Sequence, residues 1–188
     1  MKAAVVLAAG ASARLGEPKQ LAMVGGERLL ERAVRVAREA GCAPVVAVLG
    51  ARAEEIRAAC GLGDALVVVN EGWGEGMGSS VRVGVGAVCE AVHDAGGAVV
   101  MTCDQPAVTA EHLLVLMATG EATASGYAGR RGVPAYFPAE MFGALMELKG
   151  DAGARELLRE ARVVELTGGE LDVDTAEGLT EARRVFAG

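Results

Sequence analysis

The chain opens with a short apolar run, Ala3 to Ala8, in which Val5, Val6 and Leu7 follow one another before the pattern stops at Gly10. Runs of the same kind recur at Val45–Leu49, Ala65–Val69 and Gly97–Thr102. Each is aliphatic, brief and bounded by glycine or turn residues, and each predicts a buried strand. Between them the period changes. From Glu27 to Ala40, Leu29, Leu30, Ala33, Val34 and Ala37 share one face while Glu31, Arg32, Arg35 and Arg38 lie mostly off it. That spacing predicts an amphipathic helix with a solvated arginine face, stopped by Gly41. Further helices are predicted over Ala53–Cys60 and from about Val81 to Ala95. Strand, helix and strand thus alternate, which implies a parallel sheet with right-handed crossovers.

The second half is less regular. Pro106–Ala118 reads as a loop and a helix, and Ala122–Phe137 as two strands about a Gly129-Arg130-Arg131-Gly132 turn. This hairpin carries Pro134 in its second strand, which confines that strand to an edge or a bulge. Helices are then predicted over Pro138–Lys149, from the Gly150–Arg155 segment to about Ala161 with Asp151 as its N-cap, and over Ala176–Phe186. A strand, Arg162–Leu166, precedes the last of these, and Asp174-Thr175 reads as its capping pair.

At 188 residues, with 52% hydrophobic and 3% aromatic residues, the chain suits one compact domain with an aliphatic core. A net charge of -7 argues against nucleic acid as a partner, since such binding draws on clustered cations. A few local cations can still hold a small anion. The N-terminus lacks a basic start, a longer apolar core and a cleavage site, and no run approaches bilayer length. A cytoplasmic location and no membrane partner are therefore expected. Cys42, Cys60, Cys89 and Cys103 form no C-x-x-C pair, and only His93 and His112 could join them. Reduced thiols packed as small hydrophobes are expected, for at least the first three, in place of a zinc site.

Three stretches carry candidate chemistry. In the first, Gly10 and Gly16 permit close backbone approach, the small Ala9, Ala11, Ser12 and Ala13 leave amides uncovered, Arg14 and Lys19 supply charge, and Pro18 stiffens the segment. Such a loop can wrap phosphates, yet its glycine spacing is neither the dinucleotide fingerprint nor the Walker loop. The second, Asn70–Ser80, is glycine-rich and ends in Ser79 and Ser80 where a helix begins, suited to capping or to holding an anion. Its Trp73 is read as an anchor for the loop in preference to a pocket cover. The third is Asp104, at the carboxyl end of a central parallel strand, where ligands bind in open α/β sheets. The alternative is that it caps the next turn.

The string L-A-A-G-x-S-x-R-x-G-x-P-K from Leu7 to Lys19, followed by Gln20 and Leu21, resembles the signature of Rossmann-like nucleotidyltransferases, and most nearly the molybdenum cofactor cytidylyltransferases of the MobA-like family. Four further strings share the resemblance in the expected order: N-x-x-W-x-x-G-M-x-x-S at Asn70–Ser80, C-D-Q-P at Cys103–Pro106, G-D-x-G-A-R at Gly150–Arg155 and D-x-D-T at Asp172–Thr175. The resemblance implies an α/β fold: one Rossmann-like domain with a mostly parallel central sheet, helices on both faces and a small β-hairpin insertion. It implies transfer of CMP from CTP to the terminal phosphate of a molybdopterin-type cofactor, with magnesium as cofactor, pyrophosphate as leaving group and a molybdoenzyme as recipient of the product. By the same resemblance Asp104 and Asp174 bind the metal, and Arg14, Lys19 and Asp104 are catalytic. Leu7, Ala8, Ala9, Gly10, Arg14, Lys19 and Ser79 bind the nucleotide, and Ser80, Arg131 and Arg155 bind the acceptor. Ala8-Ala9-Gly10 points to CTP, since guanylyl relatives tend to have Ala-Gly-Gly there. Many members have a histidine before the proline where this chain has Val133, which leaves the acceptor open. A sugar or polyol phosphate acceptor is one alternative. A non-catalytic protein that holds a nucleotidylated cofactor for a molybdoenzyme is another.

Overall fold

The computed structural model describes residues 1–150 and 154–187. In chain order the elements are β1 (Lys2–Ala8), the two-residue strands β2 (Met23–Val24) and β3 (Glu27–Arg28), α1 (Leu29–Glu39), β4 (Val45–Leu49), α2 (Ala53–Ala59), β5 (Leu66–Val69) and α3 (Met77–Ala91). These are followed by β6 (Gly97–Thr102), α4 (Ala110–Met117), β7 (Thr123–Tyr127), β8 (Arg130–Pro138), α5 (Phe142–Met146), β9 (Arg162–Glu165) and α6 (Ala176–Val185).

Seven strands form one sheet in the order β5-β4-β1-β6-β8-β7-β9. β1 pairs in parallel with both β4 and β6, while β8 runs antiparallel to both its neighbours. Strand β1 is buried on both sides, and its alternating side chains feed two cores. Ala4, Val6 and Ala8 pack with Leu30 and Val34 of α1, Ile56 of α2 and Leu113 and Leu116 of α4. Ala3, Val5 and Leu7 pack with Val81, Val85 and Val88 of α3 and Phe142 and Leu145 of α5. Helices thus cover both faces. Gly84 lets α3 lie flush on the sheet, because a Cβ there would sit 2.3 Å from Val5 Cγ1. A third cluster joins Val24 and Leu29 to Val173, Leu179 and Ala182 beneath α6.

The chain winds outward from β1 to β4 and β5, then crosses back to β6 on the other side of β1. The strand order reverses between β1 and β6, so a crevice opens at their carboxyl ends, where Gly10 and Asp104 follow. The hairpin of β7 and β8 is built into this sheet. Pro134 falls at a register shift, with Ala124 opposite Ala135 but Ser125 opposite Gly132, so its missing N–H is accommodated by a bulge in an interior strand.

Several expected boundaries move. Helix α3 begins at Met77, after Gly76 at φ 112, one turn before the expected Val81, and ends at Ala91. Pro138 ends β8 instead of opening a helix, and only a single 3-10 turn and the five-residue α5 follow it. Among the described residues the expected helix running to Ala161 is a 3-10 turn at Glu156–Leu158. The proposed cap Asp151 lies outside the described residues. Thr175, not Asp174, caps α6 by accepting from the Gly178 amide. The β2–β3 hairpin was not expected; its loop is Gly25-Gly26, both at positive φ, as a two-residue turn of this hand requires. Among the described residues no helix is long and apolar enough to cross a membrane.

One buried polar pair makes stability depend on pH. Ser125 Oγ donates to the Pro134 carbonyl at 2.6 Å, so its single proton is spent and His112 Nε2, at 2.7 Å, donates to Oγ. Burial pushes the His112 pKa below its usual 6.5. The unfolded chain therefore binds the extra proton first, and stability falls as pH drops below about 6.5 towards the folded-state value. Urea unfolding between pH 8 and 5 should show this fall, and His112→Gln, which has no proton to take up, should flatten it.

Candidate functional site

Two cavities meet at the carboxyl edge of β1 and β6. One, of about 380 Å³, is lined by Leu7, Ala8, Ala9, Gly10 and Ala11 on one wall and Trp73, Gly74, Gly76, Met77 and Ser80 on another. The second, of about 330 Å³, is lined by Tyr127, Arg130, Arg131, Gly132, Val133, Ala154, Arg155, Glu170, Asp172 and Asp174, among others. Lys19, Met77, Thr102 and Asp104 line both. They form the wall where the two lobes join.

At that junction Lys19 Nζ lies 2.5 Å from Asp104 Oδ2 and 2.6 Å from Asp174 Oδ1. Arg14 reaches the other Asp174 oxygen at 2.8 Å. The two carboxylates, far apart in sequence, thus converge on one ammonium group. Asp104 arrives on the turn after β6. Asp174 is brought to it by the backbone: the Val173 amide donates to the Asp104 carbonyl at 2.9 Å, and Gln105 Nε2 donates to the Gly169 carbonyl at 3.2 Å. Burial works against the charge on Lys19, but the Asp104 carboxylate and the hydrogen bonds to Asp104 and Asp174 outweigh it, so the ammonium holds its proton above the ordinary lysine range. Asp172, two residues away, has a raised pKa from burial and from the charges of Asp174 and Asp104. The neighbouring Cys103 thiol is pushed up to about 12 by burial and by Asp104, which makes it a packing group and not a nucleophile. All four cysteines are free.

The opening loop is held from within by a residue that entered the sequence reading only as part of a string. Gln20 is fully buried, and its Nε2 donates to the carbonyls of Ala8 at 2.7 Å and Gly10 at 3.1 Å. Ser12 Oγ accepts from the Lys19 amide at 3.0 Å, which curls the loop back on itself. Across the cavity, Asn70 Nδ2 donates to Ser79 and Ser80 Oγ and its Oδ1 accepts from the Gly72 amide, fixing the glycine-rich loop to the start of α3.

The residues expected to bind ligand fall as follows. Leu7, Ala8, Ala9, Gly10 and Lys19 line the first lobe. Ser79 does not: it is buried, and its hydroxyl faces the Gly76 and Gly72 carbonyls. Ser80, expected beside the acceptor, lines the first lobe instead. Helix α3 starts at Met77, earlier than expected, and Ser79 turns inward. Trp73 does more than anchor its loop, since it walls the same lobe and lies close against Gly50. Arg131 and Arg155 line the second lobe. Arg14 stands outside both lining sets, largely exposed at the rim and oriented by Asp174. Sequence reasoning gave no ligand role to Arg130, stacked 5.5 Å from the Tyr127 ring, or to Glu170 and Asp172 in the second lobe. The available signal for Arg130 was the pair of adjacent arginines in the expected turn, which the structure places at the start of β8 instead, paired with Tyr127 and Gly126.

The donor set at the junction suits a divalent cation. Two carboxylates already share a positive charge there, supplied by Lys19, and both present oxygen donors. Among the described residues no group of three or more His, Cys, Asp or Glu side chains could hold an ion alone. The pair therefore suits a hard ion that completes its shell with water and phosphate oxygens.

The sequence profile of the MobA-like NTP transferase domain matches residues 4–166. Nicotine blue oxidoreductase of Paenarthrobacter nicotinovorans is 38% identical over 92% of each chain. The crystal structure of Rv0371c from Mycobacterium tuberculosis H37Rv superposes with a TM-score of 0.85 at 35% identity over 97% of each chain. A manganese complex of Rv0371C from the same organism gives a TM-score of 0.80 at 32% identity, over 97% of this chain and 98% of that one. With a profile that covers most of its length and relatives of this similarity, the chain belongs to the MobA-like NTP transferase family of nucleotidyltransferases.

Proposed function

We propose that this nucleotidyltransferase moves CMP from CTP to the terminal phosphate of a molybdopterin-type cofactor, releasing pyrophosphate, with magnesium as the resident ion. The observation that carries the reading is the convergence of Asp104, Asp174 and Lys19 where the two lobes join. One lobe is walled by bare backbone and a tryptophan, which suits a nucleobase and ribose. The other presents Arg130, Arg131 and Arg155, which suits a phosphorylated acceptor. In-line attack of the acceptor phosphate on the α-phosphate would then occur at the junction.

The obstacle in this reaction is charge, because two anions approach and a third leaves. Lys19 and Arg14 neutralise the departing pyrophosphate, and the arginines of the second lobe hold the acceptor phosphate against repulsion. The attacking oxygen is already anionic, so no general base is needed. Asp104 and Asp174 would hold magnesium, which adds positive charge at the α-phosphate. That Rv0371C forms a complex with manganese supports a divalent cation here as well.

Incubation with magnesium, a molybdopterin cofactor and each labelled nucleotide tests the reading by pyrophosphate release. Turnover with CTP is expected, and silence with every nucleotide would defeat it. Turnover with a sugar or polyol phosphate alone would move the activity to another acceptor, and tight product binding without turnover would indicate a carrier. The similarity to nicotine blue oxidoreductase favours a second reading, oxidoreduction of nicotine blue or a related compound in the same cleft. Oxidation of NADH or NADPH on adding such a substrate would support it.

A further inference from the structure

The wall of the nucleotide lobe has a hydrogen-bonding polarity set from inside the protein. Four successive carbonyls along it are engaged by protein donors. Leu7 O accepts from the Cys103 amide at 3.2 Å and Ala9 O from the Ala51 amide at 3.0 Å. Ala8 O and Gly10 O accept from the one amide of Gln20. Gln20 Oε1 faces Ser12 Oγ at 3.5 Å, so the network orients the side chain with its nitrogen towards the carbonyls. The amides of Gly10 and Ala11, by contrast, have no backbone acceptor among the described residues. Both residues line the lobe, so these amides are the donors its lip can offer a ligand.

We propose that Gln20 is a positioning residue that determines which nucleobase the cleft accepts. By drawing the Ala8 and Gly10 carbonyls inward, it leaves a donor lip matched to a pyrimidine whose edge carries neighbouring acceptors. Cytosine offers O2 and N3 in this way, whereas guanine presents N1–H and the 2-amino group, which need acceptors. This rests on the reading of the cleft as a nucleotide site and adds the residue that sets its selectivity.

Equilibrium binding of CTP and GTP in the presence of magnesium tests it without requiring turnover. Gln20→Met keeps the shape and removes both donors, freeing the two carbonyls to turn. It should weaken CTP on the order of tenfold, as loss of hydrogen bonds of this kind does, while GTP changes less, so the preference shrinks. Gln20→Glu, which sets a carboxylate against the two carbonyls, should erase the preference further. On the unaltered protein, 3-deaza-CTP, with C–H in place of N3, should bind about tenfold more weakly than CTP, which tests the donor lip where a variant fails to fold. Equal weakening of both nucleotides in a folded variant, or undiminished binding of 3-deaza-CTP, overturns the proposal. If the unaltered protein binds CTP selectively but never releases pyrophosphate, the transferase reading fails and the role of Gln20 stands. If it binds no nucleotide, both fail.

Discussion

Asp104→Ala should lower the rate of pyrophosphate release by about a thousandfold, or roughly 4 kcal/mol of transition-state stabilisation, while leaving a folded protein. The size of the effect follows from position. Asp104 lines both lobes, is 8% exposed, and holds the Lys19 ammonium at 2.5 Å. On the proposed reading it would therefore meet the reacting phosphates wherever nucleotide and acceptor come together. Folding survives for a separate reason. The backbone link that seats the Asp174 segment uses the Asp104 carbonyl, which alanine keeps, and Lys19 retains Asp174 as its partner. A thermal melt should fall by a few degrees only, in line with a loss of about 1 kcal/mol. Wild-type turnover in the variant would remove Asp104 from the chemistry, and collapse of the far-ultraviolet circular dichroism would make it structural.

The parts of this molecule that were legible in advance are those in which short-range pattern and long-range packing agree. β4 and β6 fall where the aliphatic runs lie, because a strand buried on both faces must be apolar at every position. Helix α1 buries the face its spacing marks, although Glu27 and Arg28 are taken into a strand by the Gly25-Gly26 turn. The segment after Pro138 was misread because its apolar residues pack against α3 in pieces too short for a helical period. At the site, the carboxyl ends of β1 and β6 were readable from the βαβ alternation alone, so Gly10 and Asp104 were expected on one edge. The approach of Asp174 was not. It depends on single tertiary hydrogen bonds from Val173 and Gln105 that leave no periodic trace, and it was available only through resemblance. Gln20 was harder still, since a buried glutamine bonded to backbone carbonyls looks in sequence like any polar residue beside a lysine.

Lys19→Met should move two measurements in opposite directions, a pattern that loss of structure alone would not produce. In the protein as it stands, the ammonium lies between Asp104 and Asp174 and offsets their mutual repulsion. A divalent cation entering between the same oxygens competes with it. On the proposed reading the displaced ammonium would have a new anion to meet once the nucleotide is bound, the departing pyrophosphate. Methionine fills a similar volume but carries no charge, so the two carboxylates are left to repel one another. Binding of manganese without nucleotide, followed by electron paramagnetic resonance, should strengthen several-fold, because the repulsion is relieved by the ion and no lysine has to be displaced. Pyrophosphate release should nevertheless fall by about 10²- to 10³-fold, the usual effect of removing one preorganised cation or donor from a developing anion. Weaker manganese binding in a folded Lys19→Met protein would show that the lysine supports the metal site and does not compete with it. Unchanged turnover would show that the charge meets no phosphate at all.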